Sequence, residues 1–327
     1  MSFLTKLPLE RYDSNAFAAF ASEEGFSLGK GKAMAWMSQL AYELDEPDKV
    51  GTVLQRWGLA LGHRGIIVKE VATVLPLAST HVFVASGRGA TVVAFAGTDP
   101  LVLANWISDF DAHLSSTGIA DGFALAAEIV WPDLFDLLAA ANAENANIFV
   151  TGHSLGGALA ALTAKKIADA GRFSLLGAYM FGMPRVGNEE WHRQYTEKIG
   201  QRSFRLVYGE DVVPTVAPSS WGFRHIGRLL RCRRGGKFRE SHLAPDSKSD
   251  EPKFERSATA DMRAFLHSPA SIVVSTNQRI KVALGLLAGR GPANMRADPA
   301  GIAIELFPPH LQDHMPDRYT GAFERAK

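Results

Sequence analysis

A single cysteine, Cys232, leaves this 327-residue chain without an internal disulfide framework and without the cysteine-rich patterns of structural zinc sites. Net charge is missing as well: 35 basic residues face 34 acidic ones, so no overall field favours nucleic acid, and any anionic partner must be met locally. The most apolar windows, "GALAALTA" and "IKVALGLLAG", are shorter than a bilayer-spanning helix, and no transmembrane anchor is expected. The opening "MSFLTKLPLERYDSN" lacks the apolar core of a secretory leader. Its absence makes a cytoplasmic location the expectation, with export by a signal-less route left open.

What is present is ample core material, 46% apolar against 21% charged residues, enough for a single domain over 1–327. "GKAMAWMSQLAY" (31–42) has helical spacing. "GIIVKEVATV", "THVFVASG" and "ATVVAFAG" are β-branched runs divided by Gly, Ser and Pro, the pattern of successive strands and a hairpin. "DGFALAAEIVWPDLFDLLAAANA" returns to helical spacing and is expected to break at Pro132. Then "NIFVTG" reads as a buried strand and "LGGALAALTAKKIADA" as a helix ending near Gly171. "FSLLGAYMFG" and "FRLVYGEDVVP" follow as strands around the helical "NEEWHRQYTEKI". Such alternation gives an α/β fold with a mostly parallel central sheet flanked by helices. Beyond about Gly227 the pattern weakens, and 228–305 reads as an insertion or cap within the same domain, carrying the helical "ADMRAFLHS" and "NQRIKVALGLLAGR".

Gly152-His153-Ser154-Leu155-Gly156 fits G-x-S-x-G, the strand-to-helix nucleophile elbow of α/β-hydrolases. A serine reaches the tip of so tight a turn only if the residues two before and two after it let the strand and helix backbones approach. Gly152 and Gly156 meet that need. The helix that follows turns its free amides and positive dipole end toward the place where an oxyanion forms, which makes the Leu155 N–H a candidate donor. The pattern is short, but a β-rich run precedes it and an alanine-rich helix follows, as the chemistry requires.

With "GHSLGG" in place, the chain resembles the class 3, fungal-type triacylglycerol lipases of the α/β-hydrolase superfamily. "VVAFAGTDPLVLANWISDF" is similar to that family's strand and lid, "YMFGMPRVGN" to its Phe-Gly-x-Pro-Arg-Val-Gly-Asn stretch, and "RLVYGEDVVPTVAP" to its aspartate-bearing segment. The resemblance runs from about Lys32 to Pro218 and returns weakly near the carboxyl terminus. It implies an oxyanion donor at Thr98, opposite Leu155, and a lid bearing Leu101, Leu103 and Trp106, for which a buried helix is the plain alternative. Two positions depart from the family: Ala96 stands where arginine is usual, and Asp121 precedes Gly122 in place of the common histidine.

A serine hydroxyl needs a histidine to take its proton, and the histidine needs a carboxylate to fix its tautomer. Asp211 follows a strand-like run, lies after Ser154 in the chain order of α/β-hydrolases, and matches the family's aspartate. Ten histidines are available, and order alone leaves His225, His242, His267, His310 and His314 open. The resemblance implies His314, which precedes Tyr319 as in the family's terminal histidine-to-tyrosine segment. His310 and His314 lack the glutamate-bearing H-E-x-x-H pattern, so no metal is expected. The expected activity is a serine carboxylic-ester hydrolase acting on lipid acyl esters without a cofactor. A phospholipase, a soluble short-chain esterase and an inactive lipid- or protein-binding relative are the alternatives. The basic run "RLLRCRRGGKFR" offers a transient contact with an anionic lipid surface, against the plainer reading of a solvated face.

Overall fold

Consecutive residues of one strand show how the molecule is layered. In β4 (Asn147–His153), Ile148 and Val150 face one hydrophobic core and Phe149 the other, the two-residue period of a strand buried on both sides. The same division runs through β3 (Ala90–Phe95), where Val93 and Phe95 join the first core and Val92 and Ala94 the second. These positions belong to a computed structural model that describes residues 4–70, 79–108, 114–140, 147–245, 304 and 307–324.

The strands β1 (Ala60–Glu70), β2 (Ser79–Gly87) and β3 pair antiparallel. From β3 onward the sheet is parallel, through β4, β5 (Ser174–Phe181), β7 (Ser203–Tyr208) and β9 (Arg228–Cys232). A separate ribbon pairs β6 (Gly187–Asn188) with β8 (Phe223–Arg224). On one face lie α4 (Asp121–Ala140), α5 (Leu155–Ala170) and α6 (Glu189–Ile199). On the other lie α1 (Leu28–Leu40), α2 (Pro47–Arg56) and α8 (Pro316–Glu324), the last preceded by the single turn α7 (Pro309–Gln312). This is the expected α/β-hydrolase architecture. Because the strands are parallel, the carboxyl ends of β3, β4, β5 and β7 share one edge, where sites of open α/β sheets are built.

Two expectations need correction. The helix over 121–140 does not break at Pro132: the proline sits inside a continuous α4. Phe123, Ala126, Ala127 and Val130 before it and Leu134 and Leu138 after it are all buried on the same face. Burying side chains of that size stabilises by about 1.5–3 kcal/mol each for the larger ones, which offsets the ~3 kcal/mol that an interior proline costs. The stretch expected to open an insertion at 228 begins instead with β9, the last strand of the main sheet, paired with β7 from Phe204↔Arg228 to Tyr208↔Cys232. Its two helical stretches fall within 246–303, outside the described residues.

Candidate active site

Ser154 follows β4 directly and α5 begins at Leu155, so the serine occupies the turn itself, with φ 59° and ψ −132°. That conformation is costly for a residue with a Cβ and is retained where surrounding structure fixes it. Here the Ser154 N–H donates to the Phe181 carbonyl of the neighbouring strand at 2.8 Å, and its own carbonyl accepts from Gly157 N–H at 2.9 Å. The glycine requirement is steric on both sides. A Cβ on Gly152 would collide with the Gly156 carbonyl, and one on Gly156 would lie 2.5 Å from the Ala96 oxygen and 2.7 Å from that of Phe95.

Asp211 lies three residues past the end of β7, on a turn that opens at Gly209 with φ +58°. Its carboxylate is fully buried and fully engaged. Oδ1 accepts from Val213 N–H at 2.9 Å, Oδ2 from the Tyr319 hydroxyl at 2.5 Å, and both oxygens face His314 Nδ1 at 2.9 Å. Burial, reinforced by the Asp211 charge, pushes the Tyr319 hydroxyl well above its usual pKa, so it stays a donor. Arg185 steadies the turn after the aspartate: its guanidinium donates to the Thr215 and Ala217 carbonyls at 2.7 Å each.

His314 sits between α7 and α8 and is buried. With Nδ1 committed to Asp211, the ring's basic atom is Nε2. Neither Nε2 nor the Ser154 hydroxyl meets a hydrogen-bond partner among the described residues. They therefore form a buried acceptor and a buried donor with their bonding capacity unspent, the state in which a base and a nucleophile can take up substrate. The preceding residue, Asp313, ties the loops of Asp211 and His314 together. It accepts from Glu210 N–H at 2.8 Å and is covered by Arg234, whose guanidinium also reaches the Pro309 carbonyl at 2.7 Å.

The other histidines go elsewhere. His225 is buried away from Asp211, and burial, with Arg205 and Arg185 nearby, holds its pKa well below the usual value. His310 bonds the Glu210 carbonyl at 3.1 Å, His242 is exposed, and His267 lies outside the described residues. Thr98 follows Gly97, where a Cβ would come 3.0 Å from that of Ser154; Leu155, fully buried, opens α5. The two candidate oxyanion residues thus flank the serine. The expected lid is α3 (Pro100–Ser108), with Leu103, Ala104 and Ile107 buried and Val102 44% exposed; the side chains of Leu101 and Trp106 lie outside the described residues. Tyr42, Asp313, Arg185 and Arg234 received no role from sequence reasoning. The signal for Arg185 stood in "MPRVGN", but as a match and not as a role.

Fold and elbow together define an α/β-hydrolase with a serine at its nucleophile position. Residues 92–221 match the family model described as lipase (class 3). The chain is 31% identical over 169 residues to secreted mono- and diacylglycerol lipase 1 of Fusarium solani, covering 49% of each. It is 41% identical over 78 residues to secreted mono- and diacylglycerol lipase LIP4 of Malassezia restricta, covering 24% of this chain and 26% of that one. The chain spans about half the length of the first of these relatives (49%) and about a quarter of the second (26%). Among solved structures, lipase II from Rhizopus niveus shares the fold with a TM-score of 0.54 at 22% identity, over 67% of this chain and 88% of that one. The resemblance read in the sequence is borne out as a match to the class 3 lipase family over residues 92–221, on an α/β-hydrolase fold.

The cytoplasmic expectation is overturned, because these relatives are named secreted lipases. No helix among the described residues is long and apolar enough to cross a membrane.

Proposed function

We propose that this protein is a serine carboxylic-ester hydrolase that acts on lipid acyl esters outside the cell. The observation that carries the reading is the buried pairing of Asp211 with His314 Nδ1, which leaves His314 Nε2, like the Ser154 hydroxyl, uncommitted. His314 Nε2 takes the Ser154 proton as Oγ attacks the acyl carbonyl. The tetrahedral oxyanion is held by backbone N–H groups of Thr98 and Leu155. Collapse of the intermediate breaks the ester C–O bond, and His314 hands the proton to the departing alkoxide. A water then repeats the sequence on the acyl-enzyme, giving a free fatty acid and restoring Ser154. Asp211 orients the ring through Nδ1 and stabilises the imidazolium. Two preorganised donors are the minimum useful hole, and losing one typically costs about a hundredfold or more in turnover.

Ser154 is fully buried, so productive binding requires a covering element to move aside. The buried Leu103, Ala104 and Ile107 of α3 beside the exposed Val102 support α3 as that element, with its apolar face meeting lipid when it opens. Transient contact with an anionic surface by the run at 228–239 is the accompanying expectation. Ser154→Ala abolishes ester turnover in the purified protein, and an organophosphate labels Ser154 in the parent. Full turnover by the alanine variant overturns the proposal, and absence of labelling favours an inactive binding relative. Hydrolysis of an acyl-chain series as monomers, emulsions and anionic vesicles separates the substrate classes: a rate jump on emulsions marks a neutral-lipid lipase, a jump on anionic vesicles a phospholipase, and short-chain preference in solution an esterase.

A further inference from the structure

The segment that carries His314 has little regular structure of its own. It is a four-residue helical turn, a bend, and then α8, and its imidazole is anchored at one atom, Nδ1. Yet Nε2 must stay aimed at one oxygen while a proton crosses four times in each turnover. Behind the ring lies His153, the residue between Gly152 and Ser154. The two imidazoles pack with centroids 4.5 Å apart and planes 33° from parallel. His153 Nε2 lies 2.7 Å from the carbonyl oxygen of His314, and its Nδ1 lies 2.8 Å from the hydroxyl of Tyr42.

These contacts leave a single arrangement of protons. A carbonyl only accepts, so His153 carries its hydrogen on Nε2 and donates it to His314. Nδ1 then holds a lone pair and accepts from Tyr42. Burial pushes the Tyr42 hydroxyl above its usual pKa, which keeps its proton in place, and the Gly97 backbone N–H hydrogen-bonds the same oxygen. Burial, together with the charge of neighbouring His314, holds the pKa of His153 well below the usual histidine value, so its neutral form persists. Gly97 has to be glycine for this contact: a Cβ there would collide with the Tyr42 oxygen and lie 2.7 Å from the His153 carbonyl.

Resting on the hydrolase reading above, we propose that Tyr42 and His153 are positioning residues forming one buried brace, which holds the backbone of the general base His314 and ties it to the strand end bearing the oxyanion residue Thr98. Neither residue touches the reacting atoms. Their effect is geometric: the brace fixes the Cα position and ring tilt of His314 relative to Ser154, and does so from the residue adjacent to that serine. The base, the nucleophile and the oxyanion donor therefore move as one body, although they come from three distant parts of the chain.

The test uses the full-length protein and a soluble short-chain ester, so that interfacial binding does not enter. Displacing a catalytic group by about an ångström costs roughly a hundredfold in rate. Accordingly, His153→Leu lowers kcat by about a hundredfold while KM stays within about threefold, and Tyr42→Phe lowers kcat by about tenfold. His153→Gln keeps an amide N–H near the place of Nε2 and recovers most of the loss. Because both residues act along one path, Tyr42→Phe combined with His153→Leu is no slower than His153→Leu alone. Nitrogen-15 NMR of the parent shows His153 protonated on Nε2 alone, and Tyr42→Phe mixes the two tautomers. The brace is overturned if properly folded Tyr42→Phe and His153→Leu keep kcat within about twofold, if His153→Gln is no better than His153→Leu, or if the double variant multiplies the two losses. Should His153→Leu not fold, Tyr42→Phe, His153→Gln and the NMR tautomer decide alone. Failure of the hydrolase reading is separate, since it appears as turnover that survives Ser154→Ala.

Discussion

Residues 147–157 and residues 307–324 meet in the interior, where His153 packs against His314, and they reach it under different constraints. The first stretch carries its instructions locally: a β-branched run, two glycines at fixed offsets, and an alanine-rich helix that packs at once against the sheet. The second has a four-residue turn, three prolines and a short helix. It is placed by bonds to residues about a hundred or more positions away: Asp211, Glu210 and His153. An element defined by its own backbone fails as a fold when disturbed. An element held from outside fails first as chemistry, with the fold largely intact.

The contrast can be broken at several points, and the largest effect is expected at the elbow glycine. Gly156→Val places a branched side chain where even a Cβ lies 2.5 Å from the Ala96 oxygen; the strand–helix crossing is lost, and the variant is recovered unfolded or with its thermal transition abolished. Asp211→Asn, by contrast, folds with a transition near the parent's and loses about 10³–10⁴-fold in kcat, because His314 is offered the wrong tautomer partner. A variant of the elbow that folded as well as Asp211→Asn does would remove the distinction.

Smaller effects sharpen it. Ser154→Gly abolishes turnover and raises the melting temperature, since glycine relieves a φ of 59° that costs a residue with a Cβ about 1–3 kcal/mol. Asp313→Ala leaves the Glu210 amide without its acceptor and lowers stability by about 1–3 kcal/mol, with kcat falling more than stability explains. Arg234→Gln is milder: the arginine side chain is 48% exposed, so after solvent screening the pair contributes at most about 1 kcal/mol, and added salt narrows the gap between variant and parent. Denaturant titrations across pH check these assignments from another side. His153 and His225 are buried with lowered pKa values. Below about pH 6.5 the unfolded chain gains protons at these residues that the native state does not bind, so stability is fully present above that pH and declines as pH falls. His153→Gln makes that decline shallower.

Much of the fold was legible without coordinates because its signals are local and periodic. The two-residue alternation in "NIFV", the helical spacing in 155–170 and the small residues around Ser154 each follow from neighbouring positions. Pro132 was misread for the complementary reason: a local cost is visible in sequence, while the packing of Phe123, Val130, Leu134 and Leu138 that offsets it is not. β9 is not legible as a strand in sequence, because five residues with two arginines show no strand pattern until Phe204 to Tyr208 lie beside them.

The sequence by itself determined the elbow, the strand and helix order around it, and the identity of the serine, because steric permission at Gly152 and Gly156 and apolar periodicity act over a few residues. Only the tertiary structure decided which partners meet. It joined Asp211 to His314 and passed over His225 and His310, and it set Tyr42 and His153 in line against His314. The physical reason is that these hydrogen bonds span 103 to 161 residues. Bonds of that reach have no period and no spacing, and they exist only once two cores have closed on the sheet and excluded water from the polar groups between them.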